Sequence, residues 1–312
     1  MINKLSESHI GRMPIRVLQH NLIYAFENMN SQFLELSKKV ISELGLDPGI
    51  SCSFEEERAK SPYVVFKKIF INESFLSYAW SICFALTVLY EEIIVKKSRN
   101  DYYGNEDEVI NMPLAREAYK LWEYAISLLY DYTAWDIQLP NPEIFDEKYE
   151  DLIPRINGLY ITAMKFVLSH EFAHIELEHD VRIDSSVDQN EQSITFEKEA
   201  DARAIKLVLA GIMDQNRMTV IMGLLMGLCS LLFFNSITAD KNYPDVDERI
   251  DAVIKILNPE DPQDAMWGIA TLAYRLWDRQ YNKGLIWESG LESPKDQYYS
   301  IKSQVEKLSK NF

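Results

Sequence analysis

Ser169-His170-Glu171-Phe172-Ala173-His174 reads H-E-x-x-H inside a strongly apolar run, and its spacing decides what the rest of the chain must build. Two histidines four residues apart lie about one turn apart on a helix, so both imidazoles reach the same ion. Glu171 flanks them, placed to polarise bound water. At roughly 100° per residue, Thr162, Lys165, Ser169 and Glu176 form one polar stripe that reads as the solvent side. Ile161, Met164, Leu168 and Phe172 form a core stripe. His170, Glu171 and His174 belong to neither: they share a third sector with Ala163, Val167 and Leu177. Polar groups there are costly unless paired, and a metal is one partner that would compensate all three.

A third ligand is needed, and two arrangements can be tested on the residues. A metzincin-type site requires a Gly three residues after the second His and a His six residues after it. Those positions hold Leu177 and Asp180, with His179 one residue out of register. The other arrangement takes a Glu from a separate downstream helix, and Glu197-Lys198-Glu199-Ala200-Asp201 offers one. Glu197 and Asp201 are four apart and share a face, so Glu197 can bind the metal while Asp201 accepts the free ring N–H of a ligating His. Ala200 and Ala204 are small enough to let the two helices approach closely. Glu199 points roughly 200° away from Glu197 and reads as solvated. The plain alternative is an acidic first turn that favours the helix dipole.

Further on stands Tyr243-Pro244-Asp245-Val246-Asp247-Glu248-Arg249-Ile250. The order H-E-x-x-H, then E-x-x-A-D, then an aromatic residue or His before Pro and an E-R pair, resembles the core of the gluzincin peptidases. CAAX-prenyl and heat-shock membrane proteases carry this order, as does the Lit peptidase family of phage-exclusion proteases. The chain looks most like the Lit family, through its length, the H-E-F-A-H-I run and the stretch from Ile71 to Trp80. The resemblance implies a zincin-like helical core with Zn2+ on His170, His174 and Glu197, Asp201 behind a ligand, and Glu171 as catalytic base. It also implies a cytosolic protease that stays latent until a phage-derived activator appears and then cleaves elongation factor Tu. In the membrane proteases a His precedes the Pro, where this chain has Tyr243. A phenol also donates to a developing oxyanion, so Tyr243 or Arg249 would take that role. Arg249 reads equally well as an ion-pair partner of Asp247 or of the ligand-helix carboxylates.

The chain has 312 residues, is 47% hydrophobic and carries a formal net charge of -16. That length supports a large core, as one domain or as an N-terminal helical lobe with short strands over 1–140 and a catalytic lobe over 141–312. The charge argues against nucleic acid as a partner, since phosphate binding needs clustered Lys and Arg. Cys52, Cys83 and Cys229 show no paired metal spacing and read as reduced core thiols. Met1 to Pro14 has no apolar h-region, so the expected location is cytoplasmic.

The fold class expected is mainly α, with a small β-sheet. Val17 to Leu44 reads as one amphipathic helix ending at Gly45, and Ser61 to Asn72 as one or two short strands. If such a strand is exposed at a sheet edge it can bind a peptide by β-augmentation. Phe75 to Val95 is a long apolar helix, Asp101 to Met112 an acidic connector, and Leu114 to Tyr132 another amphipathic helix. Asp180 to Gln192 reads as an exposed loop, after which Thr195 or Ser193 caps a helix running to about Met213. Met218 to Ile237 passes without a charge and contains Gly223 and Gly227 as a G-x-x-x-G pair. Its strictly apolar part spans about 22 Å as a helix, against roughly 30 Å of hydrocarbon. It reads as a core helix, the alternative being an inner-membrane span. A short helix to Leu257, a Pro-rich turn and an aromatic helix with Trp267, Tyr274 and Trp277 follow. Three readings result: a zinc-dependent endopeptidase acting on an intracellular protein, a zinc-stabilised interaction protein without catalysis, or an integral-membrane gluzincin protease.

Overall fold

The computed structural model describes residues 13–95, 112–143, 147–210, 212–236, 246–257, 261, 264–288, 291 and 293–309. Tyr243, Pro244, the 101–111 part of the acidic connector and most of the Pro-rich turn lie outside them. Ten α-helices and three short strands make up the described residues, a mainly α architecture with one small sheet. In chain order they are α1 (Arg16–Glu27), α2 (Ser31–Leu44), β1 (Ser51–Ser53), β2 (Tyr63–Val65), β3 (Lys68–Asn72), α3 (Glu73–Leu89), α4 (Pro113–Tyr130), α5 (Leu152–Glu176), α6 (Gln189–Leu209), α7 (Asp214–Leu231), α8 (Val246–Leu257), α9 (Ala265–Tyr281) and α10 (Pro294–Ser309).

Helix α5, which carries H-E-x-x-H, is the hub: it touches α1, α2, α3, α6, α7 and both strands of the β2–β3 hairpin. This packing corrects the polar stripe expected on it. Thr162 and Ser169 are buried rather than solvated. Neighbours on every side leave no solvent face there, and the Thr162 hydroxyl is satisfied within the helix by donating to the Gly158 carbonyl at 3.0 Å. Glu176 is held by Arg203 of α6, at 2.6 and 2.7 Å.

The G-x-x-x-G pair explains how α7 reaches this helix so closely. A Cβ on Gly223 would sit 2.5 Å from Thr162 Cβ, and one on Gly227 would sit 2.9 Å from the Ala163 carbonyl oxygen. Only hydrogen side chains fit both places. α3 is buried along its whole length, and Asn72 caps its start by accepting from the Phe75 N–H at 2.9 Å. It is tied to α5 by the Trp80 indole, which donates to Asn157 at 2.8 Å, and to α7 by the Tyr78 hydroxyl on the Ser230 carbonyl. The segments Glu73–Val95 and Asn216–Phe234 are long and apolar enough to cross a membrane, and most of each is buried inside the fold.

Three boundaries differ from expectation. The run from Val17 to Leu44 is two helices, because Asn30 takes an extended conformation and caps α2 through the Phe33 N–H at 2.8 Å. Helix α6 starts at Gln189 rather than after Ser193 or Thr195. Asp188 captures the N–H groups of Asn190 and Glu191 first, at 2.8 and 3.2 Å, and shortens the exposed loop accordingly. The sheet gains β1, which pairs parallel with β3, while β2 pairs antiparallel to it. The order β1-β3-β2 leaves β2 on an edge. Phe66 and Lys67 turn the hairpin with positive φ at both, as a tight two-residue loop requires.

Candidate metal centre and active site

His170 and His174 project from α5 toward α6, and their Nε2 atoms come to 3.1 Å of each other. Glu197 reaches in from α6 with one oxygen 3.2 Å from His170 Nε2 and the other 3.4 Å from His174 Nε2. Four ligands around zinc, at bond lengths of roughly 2.0–2.1 Å, lie about 3.3 Å apart along the edges of the tetrahedron. The imidazole–imidazole separation matches such an edge, and each imidazole faces its own Glu197 oxygen at a similar distance, so the donor set fits a small divalent ion. Among the described residues this is the group of His, Cys, Asp and Glu whose ligand atoms converge closely enough to hold a metal.

The electrostatics show what the cluster requires. With only protons to balance it, burial disfavours a charged His170, yet the hydrogen bonds and charges of Asp201 and Glu197 lift it to about 10. Burial pushes Glu197 upward and the two histidines overcome this, holding it well below the usual carboxylate range. Asp201 follows the same pattern, held at about 2 by Arg249 and His170 against burial. A site that keeps carboxylates ionised beside imidazoles can accommodate a cation.

Each ligand histidine has an outer partner. His170 Nδ1 lies 2.9 Å from Asp201 Oδ1, and Asp201 is gripped by Arg249, whose Nε and Nη2 donate at 2.7 and 2.8 Å. Thus Asp201 sits directly behind His170, and Arg249 sits behind Asp201 while also bordering the cleft. Behind His174 is a residue that sequence reading left out. His179 Nδ1 lies 2.8 Å from His174 Nδ1, its Nε2 lies 3.1 Å from Glu199, and Arg182 donates to Glu199 at 2.7 and 3.2 Å. Glu199, read as solvated, is therefore half-buried and paired. What brings His179 back is the helix end, which no glycine marks in the sequence. Glu178 takes φ 53, the N–H of His179 bonds to the His174 carbonyl at 3.1 Å, and that of Glu178 to the Ile175 carbonyl at 3.1 Å. This Schellman ending folds the second residue past the helix back onto its last full turn.

Glu171 is half-buried and opens onto a cleft of about 810 Å³ shared with His170, His174 and Glu197. Burial raises its carboxyl to about 8, with His170 and Arg249 pulling the other way. Among the described residues nothing hydrogen-bonds it, so it is free to handle a proton. The opposite wall of the cleft includes Tyr63 and Val64 of edge strand β2 and the hairpin tip at Phe66 and Lys67. Lys67 reaches across to Asp180, in the turn after α5, at 3.0 Å.

No curated protein and no solved structure matches the chain. The family model described as Peptidase U49 matches residues 69–270, which run from the β2–β3 hairpin through both ligand helices into α9. That span covers well over half of the sequence and every residue of the cluster, so the chain belongs to the Peptidase U49 family and is a peptidase.

Proposed function

We propose that the chain is a zinc-dependent endopeptidase that hydrolyses a peptide bond in an intracellular protein. The observation that carries this reading is the convergence of His170 Nε2, His174 Nε2 and the Glu197 carboxylate beside Glu171, which no described residue hydrogen-bonds. His170, His174 and Glu197 would hold the ion, which supplies Lewis acidity toward water and a peptide carbonyl at neutral pH. Glu171 takes the proton from water as it attacks the scissile carbonyl and passes it to the leaving amine. Asp201 keeps His170 in the tautomer whose Nε2 is free. Arg249 is committed to Asp201 by two N–H groups, so the oxyanion falls to Tyr243 in this scheme, with the remaining Arg249 N–H groups as the alternative. The unpaired edge of β2 offers backbone donors and acceptors to an extended substrate strand alongside the site.

The Lit-like motifs extend the proposal to a cytoplasmic, latent protease that acts on elongation factor Tu once a phage product is present. Metal analysis of purified wild type, His174→Ala and Glu171→Gln tests the core of it. One zinc per chain is expected in wild type and in Glu171→Gln, and none in His174→Ala. Glu171→Gln keeps its metal and loses nearly all hydrolysis. Wild type that takes up no zinc, or Glu171→Gln that still cleaves, overturns the reading.

A further inference from the structure

We propose that His179 is a positioning residue for the ligand His174, fixing through its own Nδ1 the tautomer and ring plane that present His174 Nε2 to the metal. The inference rests on the zinc reading of the site and adds a residue to it. The two Nδ1 atoms are 2.8 Å apart, so one of them carries the proton between them and the other accepts it. If His174 binds a metal through Nε2, its neutral ring has its proton on Nδ1, and His174 is the donor. His179 must then accept at Nδ1 and carry its own proton on Nε2. That nitrogen lies 3.1 Å from a Glu199 oxygen, which accepts it, and Arg182 closes the chain on the same carboxylate. Each link has the polarity the next one needs, and the direction is set at the metal.

The His179 ring is built into this place. It is 4% exposed and stacks on Phe196 of α6 at 4.4 Å with the planes 9° apart. Arg182 covers the other part of the same phenyl ring at 5.0 Å. The Schellman ending of α5 supplies the backbone that returns His179 to His174, whose ring it meets edge-on at 4.9 Å. A merely structural aromatic would satisfy the stacking without a nitrogen aimed at a ligand.

The test is zinc affinity of the full chain by competition with a chromophoric chelator, beside the visible spectrum of the cobalt-substituted protein and thermal melting of the metal-free form. His179→Phe keeps the stacking and deletes the hydrogen bond. It should weaken zinc binding by about 10–100-fold and alter the cobalt spectrum. His179→Asn, whose amide oxygen can accept from His174, should recover part of the loss, and Glu199→Gln should lose about tenfold, the lower end of that range. His179→Phe that binds zinc within about twofold of wild type, with the same cobalt spectrum, overturns the proposal and leaves the metal site standing. Should His179→Phe fail to melt cooperatively, Glu199→Gln at wild-type affinity overturns it instead. Wild type that binds neither metal overturns this inference and the zinc reading together.

Discussion

The two ligand histidines sit one turn apart on the same helix, yet they are supported in opposite ways. Behind His170, Asp201 and Arg249 are both buried and come from two helices far apart in sequence, α6 and α8. Behind His174, His179 is buried but its outer partners are half-exposed, Glu199 at 38% and Arg182 at 44%, and the contacts run from the turn after α5 to the adjoining α6. The first support therefore doubles as a tertiary tie that global unfolding must break. The second costs little stability to disturb and acts mainly on the ring it touches. The candidate metal centre thus has a structural side and an adjustable side.

The largest effect should come from breaking the buried side. Arg249→Met strands the Asp201 carboxylate in the core and should lower stability by about 3–5 kcal/mol, whereas Arg182→Met, on solvated partners, should cost less than about 1 kcal/mol. Denaturant titration of both variants checks the contrast, and equal losses would dissolve it. Next comes Gly223→Ala, which drives a methyl into Thr162 and should cost about 1–3 kcal/mol, read as a lowered melting temperature. Because the damage falls behind α5, it should lower stability with or without metal, unlike a change at His179.

A smaller effect sharpens the view of α8, the helix that carries Arg249. Burial pushes the Asp251 carboxyl upward, but Lys255 at 2.6 Å and Lys302 of α10 at 2.8 Å outweigh it and hold it below the usual range. A depressed carboxyl stabilises the fold above its unfolded pKa and loses that contribution as pH falls through the folded value. Asp251→Asn should therefore cost about 1–2 kcal/mol at pH 7, Lys255 being mostly exposed. The difference from wild type should close below about pH 4, as seen in urea melts across pH. The smallest effect has the other sign. Glu178→Gly relieves a side chain held at φ 53 and should raise stability by about 0.5–1 kcal/mol while leaving zinc stoichiometry at one.

The residues of the candidate metal centre were legible because helical spacing is rigid: four residues part His170 from His174, and four part Glu197 from Asp201. Arg249 was visible as a charge beside the site, but its choice of Asp201 over Asp247 depends on how α8 lies against α6, which no local pattern encodes. His179 was hidden for a different reason. Periodicity assumes that the helix continues, and a left-handed residue at Glu178 breaks that assumption without the glycine that usually announces it. The stripe of Thr162 and Ser169 misled in the same spirit, since a helix packed on several neighbours can bury a hydroxyl, as it does Thr162, by bonding it to its own backbone. The break at Asn28 to Asn30 was lost under a continuous run of apolar spacing, although an asparagine cap is a readable stop.

The apolar character of α3 and α7 bears on how the molecule comes into being. α3 packs on α4, which follows it closely, but its other face rests on α7 and α5. About 125 residues separate the end of α3 from the start of α7, which at ribosomal rates of about 5–20 residues per second is roughly 6–25 s of synthesis. Throughout that interval a nascent chain displays a sticky, half-clothed rod, whose burial is completed only when α7 has been made.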